Sequence, residues 1–339
     1  MQLPSPLASL HRIALAHLPT PVEPLPRFSA ALGGPEVWVK RDDLTGLATG
    51  GNKTRKLEFL VGAALDAGAD CVITAGSTQS NHARQTAAAA RKCGLEPHLV
   101  LYAPGGKPPA ENTGNILIDH LLGARIHWTE EKAPYSHSIA RVESELQAAG
   151  HNPHVIPYGG SNALGLMGYA VAMEEIAGQI ESEGLPRFDT HVFATSSGGT
   201  QAGMILGAHL CGLLGETRLL GISVDEREAI LGGRVANLVN DGARLLGLDW
   251  RVNDDVPDIN DDYLGGGYAV VGEPEREAIR LLAETEGLLA DPVYTGRALA
   301  GLIDLIRRGE FARDQRVLFW HTGGQAAIFA FQKQLAVDD

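Results

Sequence analysis

The 339-residue chain is 44% hydrophobic and carries 28 basic against 41 acidic residues, a formal charge of −13. That length suits two domains or one large one, and an acidic balance without a long basic run argues against nucleic acid and anionic membrane as partners. Three widely separated cysteines, Cys71, Cys93 and Cys211, show neither a disulfide framework nor metal-type spacing, which fits a reducing cytoplasm.

In chain order, the N-terminal stretch is interrupted by Pro4, Pro6, Pro19 and Pro21 and lacks the charged start and unbroken apolar run of a signal peptide. No later segment has the apolar length to span a bilayer. Short apolar runs then alternate with helical patterns, the rhythm of an α/β protein with a mainly parallel sheet. Strands are predicted at 37–40, 71–75, 98–102, 125–128, 154–156, 191–194, 219–224 and 317–321. Helices fill most of the gaps, and the loops after several strands, 76–81, 158–165, 196–203 and 322–325, are rich in Gly, Ser, Thr and Asn. In open α/β sheets ligands bind beyond the carboxyl ends of the strands, so these loops are expected to converge on one cleft.

Between the first two predicted strands lies KRDDLTGLATGGNKTRKLE, residues 40–58. Gly50 and Gly51 permit a sharp turn, and Leu57, Leu60, Val61, Ala64 and Leu65 recur at helical spacing over 54–67. Lys53 therefore falls at a helix N-terminus, where the macrodipole disfavours an ammonium, and a neutral amine is what a Schiff-base lysine needs. The competing reading is a solvated lysine in a basic first turn, since Arg55 and Lys56 follow.

The second predicted strand leads into GSTQSNHARQTAAAA, which offers Ser77, Thr78, Ser80 and Asn81 at the mouth of an Ala-rich helix. Such a cluster can cradle a substrate carboxylate, or Ser80 or Asn81 can simply cap the helix. Ser197-Gly198-Gly199-Thr200-Gln201-Ala202-Gly203 opens another helix and has the composition of a cup for one phosphate. It lacks the Lys-Ser/Thr ending of a Walker loop and the glycine order of a dinucleotide site. Close packing of small residues is the alternative. Asp291 to Gly296 follows a predicted helix at 275–286 and puts Tyr294 and Thr295 on a loop, with a phenol able to move a proton. The last strand ends at His321-Thr322-Gly323-Gly324, which can bring Thr322 to the cleft. No metal is expected, because His82, His321 and the pair His151 and His154 lack a carboxylate or cysteine grouping at ligand spacing. A Schiff-base lysine, a phosphate cup, a carboxylate cup and a phenol are the parts of a pyridoxal phosphate enzyme acting on a small amino acid.

GGNKTRKLEFL, TAGSTQSNHARQTAAAA, PYGGSNALGLMGY, SSGGTQAG, DPVYTGRALAGLIDLI and HTGG, in this order, resemble the D-cysteine desulfhydrase and 1-aminocyclopropane-1-carboxylate deaminase family. The resemblance runs from about Leu18 to Phe329. It implies the two-domain fold type II of the pyridoxal phosphate enzymes, tryptophan synthase β-like, with mainly parallel open sheets and flanking helices. The large cofactor domain would be 1–53 with 165–339, the small inserted domain 54–164, and the assembly a homodimer. It also implies that Lys53 links to pyridoxal 5'-phosphate, that Asn81 approaches the ring, and that Ser197, Gly198, Gly199 and Thr200 hold the phosphate. Ser80, Asn81 and His82 would line the substrate carboxylate site, Tyr268 and Tyr294 would stand near the reacting atoms, and Lys53, Tyr294 and Ser80 are the catalytic candidates.

Cyclopropane deaminases of this family typically have Glu and Leu where this chain has Thr295 and Thr322, so both positions match the desulfhydrases. A carboxylate at the pyridine nitrogen makes the ring a stronger electron sink, whereas a hydroxyl leaves a weaker one that suffices for a good leaving group. The expected reaction is α,β-elimination of D-cysteine to pyruvate, ammonia and hydrogen sulfide. Behind it rank L-cysteate sulfo-lyase, the cyclopropane deaminase, and a non-catalytic pyridoxal phosphate-binding protein. Two departures from the family pattern bear on the pocket: Ala269 stands where relatives usually have Gly, and residues 223–234, SVDEREAILGGR, match no desulfhydrase pattern.

Overall fold

The structure, a computed structural model, describes residues 6–335, so Pro4 lies outside it. The strands are β1 (Val22–Pro24), β2 (Glu36–Lys40), β3 (Cys71–Ser77), β4 (Glu96–Tyr102), β5 (Arg125–Thr129), β6 (Pro153–Val155), β7 (Thr190–Thr195), β8 (Arg218–Ser223), β9 (Ile259–Asn260) and β10 (Arg316–Trp320). The helices are α1 (Pro26–Leu32), α2 (Lys53–Asp66), α3 (Asn81–Lys92), α4 (Asn115–Leu121), α5 (Ser136–Ala148), α6 (Met167–Ser182), α7 (Gly199–Leu210), α8 (Glu228–Leu245), α9 (Glu273–Glu286), α10 (Thr295–Arg307) and α11 (Gln332–Leu335). Among the described residues no helix is long and apolar enough to cross a membrane.

Two sheets form, one in the order β1-β2-β10-β7-β8-β9 and the other β5-β4-β3-β6. Every pairing is parallel except β1 with β2, where Val22 faces Lys40. Parallel strands are covered on both faces, which is why β3 and β7 read as nearly unbroken buried runs and not as alternating ones. All eight predicted strands form, within one or two residues. The two missed strands, β1 and β9, are three and two residues long, too short for a periodic signal.

The large sheet is filled on one side by Phe193, Leu318 and Trp320 against α6, α7 and α8, and on the other by Val39, Val192, Ile222 and Phe319 against α1, α9 and α10. In the small sheet, Val72 packs with α2 and α3, while Ile73 and Val100 pack with α5.

A buried polar knot ties α2 to the large sheet. Arg55 donates to both oxygens of Asp42, at 2.9 and 2.8 Å, and to both oxygens of Glu175, each at 2.9 Å. Tyr169 adds a 2.6 Å bond to Asp42, and Lys40 donates to Glu175 at 2.6 Å and to Thr20 O at 2.7 Å. Arg55 and Lys56 are both fully buried, so the basic first turn suggested by the sequence is not a solvated one.

Candidate active site

The carboxyl ends of β3, β6, β7 and β10 meet the start of α2 at a cleft, the place where open α/β sheets bind ligands. Lys53 is the first residue of α2 and lines this cleft. The turn before it depends on Gly51, at φ 127°, where a Cβ would fall 2.6 Å from Gln85 Nε2. Arg84 of α3 holds the incoming loop by donating to Ala48 O, Thr49 Oγ1 and Gly50 O, and Gln85 Oε1 accepts the Thr54 N–H at 2.9 Å. Lys53 Nζ lies 3.2 Å from Gly159 O. Burial pulls its pKa down to about 8 against an opposing hydrogen bond from Lys56, so the structure assigns to desolvation the shift that the sequence assigned to the macrodipole.

A second lysine completes the group. Lys56 Nζ is 3.3 Å from Gly159 O and 3.4 Å from Ser161 Oγ, and it enters no ion pair with a carboxylate among the described residues. Burial and then the neighbouring Lys53 hold it well below the ordinary lysine range. Ser161 Oγ also meets Ser197 Oγ at 2.8 Å and accepts the Gly199 N–H at 3.2 Å, at the N-terminus of α7. A Cβ on Gly199 would fall 2.5 Å from Ser161 Oγ and 3.0 Å from Lys56 Nζ, so the cup requires glycine there. Lys56 without a counter-anion, a helix N-terminus and three hydroxyls, counting Thr200 with its 3.2 Å bond from Asn52, together fit a phosphate.

At the mouth of α3, Ser80 caps the helix by accepting the Ala83 N–H at 3.1 Å, as the plainer reading expected, and it also lines the cleft. Asn81 is oriented by a 2.9 Å bond from Asn115 Nδ2 to its Oδ1. His82 lies with Nε2 2.8 Å from Thr74 Oγ1, whose own proton goes to Ile156 O, so the imidazole donates from Nε2. Burial, then Lys53 and Lys56, keep it neutral by holding its pKa well below the usual histidine value.

The phenols meet on the opposite wall. Tyr268 and Tyr294 lie 2.6 Å apart at their hydroxyls, and Ser77 Oγ is 3.2 Å from Tyr268. Burial, then the neighbouring phenols, raise Tyr294 well above its ordinary value, so it stays protonated at neutral pH. The turn carrying it is organised by Asp291, whose Oδ2 accepts the Val293 and Tyr294 N–H groups at 3.0 Å each. Ala269, beside Tyr268, has φ 60°, the left-handed conformation that a glycine takes more readily.

Two expectations need correction. Thr295 is the first residue of α10 and not a loop residue. Its hydroxyl is engaged by Asp291, at 2.7 Å to Oδ1, because this turn closes on the buried carboxylate, and Thr295 does not line the cleft, whereas Thr322 does. His151 does gather a carboxylate and a thiol: Asp70 Oδ2 is 2.9 Å from its Nδ1, and Cys71 Sγ lies within 4.8 Å of both. Asp70 also accepts the Asn152 N–H at 2.9 Å, so the trio clamps the starts of β3 and β6. Cleft-lining residues unassigned from sequence include Asn52, Tyr158 and Ser196, while Lys56 and Ser161 reach Gly159 and Ser197 of the wall from behind. A lysine three residues after Lys53, one helical turn on, was the one available signal.

A family model described as pyridoxal-phosphate dependent enzyme matches residues 13–323. A solved structure described as an ACC deaminase homologue is 38% identical, with a TM-score of 0.88 over 98% of this chain and 99% of that one. An L-serine ammonia-lyase from the fungus Rhizomucor miehei is 17% identical with a TM-score of 0.64, covering 93% of this chain and 94% of that one. Maize serine racemase is 18% identical with a TM-score of 0.61, covering 90% and 88%. The last two are similar in fold.

Proposed function

This chain belongs to the pyridoxal-phosphate dependent enzyme family, and from that premise we propose that it eliminates the β-thiol of D-cysteine, giving pyruvate, ammonia and hydrogen sulfide. The observation that carries this reading is that, among the described residues, no carboxylate lines the cleft. The groups available to a bound ring are hydroxyls and amides, Thr322 among them, which suits departure of a good leaving group better than opening of a carbon ring. The proposal extends to a cytoplasmic homodimer in which 54–164 form the inserted small domain.

When bound, pyridoxal phosphate supplies an electron sink that lets an amino acid lose its Cα proton and a β-substituent. Lys53 would hold the cofactor covalently, with Lys56, Ser161, Ser197 and the α7 N-terminus around its phosphate. With a pKa near 8, Lys53 can accept a proton at neutral pH. Tyr294, held as a phenol, has a proton to donate at neutral pH, and the Ser77–Tyr268–Tyr294 chain gives it a route to pass a proton on. Ser80, Asn81 and His82 orient the substrate from the α3 side.

The test follows products from D-cysteine, L-cysteine, L-cysteate and 1-aminocyclopropane-1-carboxylate. Sulfide and pyruvate from D-cysteine, with a loss of about a hundredfold or more in Tyr294→Phe, are expected. Sulfite from L-cysteate, or 2-oxobutyrate from the cyclopropane substrate, would overturn the assignment. A second expectation concerns pH. A lowered lysine pKa means that the reactive neutral amine accumulates as pH rises through about 8. Borohydride-trapped incorporation of pyridoxal into cofactor-free protein should therefore rise with a midpoint near there. A midpoint at the ordinary lysine value would show that Lys53 is not desolvated.

A further inference from the structure

The segment at 223–234 that departs from the family pattern puts an acidic residue, Asp225, directly behind the cleft wall. Ser196 lines the cleft and gives its hydroxyl proton to Asp225 Oδ2 at 2.7 Å. A hydroxyl has one proton, so the Ser196 oxygen can face the cleft only as an acceptor. Asp225 Oδ1 is sealed from solvent and has no hydrogen-bond partner. The charges around it are otherwise paired: Arg234 binds Glu226 at 2.6 Å and Arg297 binds Glu275 at 2.8 Å. Arg234 also reaches Ser196 only at its backbone oxygen, at 3.4 Å. Asp225 forms no ion pair itself among the described residues, and its carboxyl group stands one hydroxyl behind the wall.

We propose that Asp225, acting through Ser196, is a specificity-determining residue that admits substrates with a neutral or hydrogen-bond-donating β-substituent and rejects those with a β-sulfonate or β-carboxylate. The proposal rests on the reading of the cleft as an amino-acid site. A thiol or hydroxyl can donate to the Ser196 oxygen, whereas a sulfonate has only acceptors and meets both a lone pair and the carboxylate charge. Burial, with Glu226, raises the Asp225 pKa above the ordinary carboxylate value, against the lowering effects of the Ser196 hydrogen bond and the guanidiniums of Arg234 and Arg297.

The test uses the cofactor-loaded enzyme, Asp225→Asn and Asp225→Glu, with three probes that differ in β-group charge: serine, cysteate and 2,3-diaminopropionate, each as both enantiomers. Dissociation constants at neutral pH are read from the cofactor absorbance change on mixing. Asp225→Asn should bind cysteate about tenfold tighter relative to serine and 2,3-diaminopropionate about tenfold weaker, with Asp225→Glu retaining the wild-type order. A merely structural role would move all three probes together, and that result would overturn the proposal. Because binding is read without turnover, failure of Asp225 to discriminate charge is distinguishable from failure of D-cysteine as substrate. An enzyme that eliminates sulfide while Asp225→Asn leaves the probe ratios unchanged would keep the desulfhydrase reading and refute this one.

Discussion

Lys53→Ala is expected to leave a folded protein that loses its cofactor on dialysis and shows turnover reduced about a thousandfold or more. The expectation follows from position and not only from residue type. Lys53 is the amine at the start of α2 that lines the cleft, desolvated to a pKa of about 8 and 3.2 Å from Gly159 O. Lys56 is not expected to substitute: its Nζ shares Gly159 O with Lys53, at 3.3 Å, but it is fully buried, does not line the cleft and is held by Ser161 Oγ at 3.4 Å. Absorbance of the bound cofactor after dialysis checks the first half of the expectation, and product formation the second. Substantial activity in the variant would place the essential amine elsewhere.

Arg55→Ala carries the largest expected effect on stability, a loss of about 3–5 kcal/mol, because it takes the guanidinium from Asp42 in the interior and leaves Glu175 with Lys40 alone. Asp42 is fully buried, and both it and Glu175 take bidentate bonds from Arg55. Burial alone would raise Glu175, but the hydrogen bonds and charge of Arg55, with those of Lys40, hold it down to about 2. A carboxylate whose folded pKa is depressed stabilises the fold fully above its ordinary value of 4.5 and loses that contribution as pH falls toward 2. Denaturant unfolding of the wild type should therefore weaken between those pH values, and Arg55→Ala should remove part of that dependence while lowering stability at neutral pH. Equal stability of the two proteins at neutral pH would contradict the role given to this knot. Since the knot joins α2 to β2 and α6, the variant is also expected to loosen the start of the helix that carries Lys53.

The strands were readable because a parallel strand buried on both faces is a short apolar run bounded by turn residues, as in CVITA and HVFAT. The site loops were readable for a related reason: small hydroxyl residues and glycines after such a run have few other uses. Burial of Arg55 and Lys56 was not readable, since their partners come from distant parts of the chain. Glu175 is 120 residues from Arg55 in sequence, and Ser161 lies 105 residues from Lys56. Thr295 misled because a loop motif does not say which of its polar groups is consumed internally, and here Asp291 takes the hydroxyl. The His151 grouping was hidden in the same way, with Asp70 and Cys71 brought to it only by pairing of β3 with β6.

The most direct measurement is to reduce the cofactor-loaded enzyme with borohydride and map the modified peptide by mass spectrometry. The phosphopyridoxyl group is expected on Lys53 alone, with Lys56 unmodified. Label on Lys56 or on any other lysine would contradict the assignment of the two neighbouring amines, Lys53 to chemistry and Lys56 to phosphate.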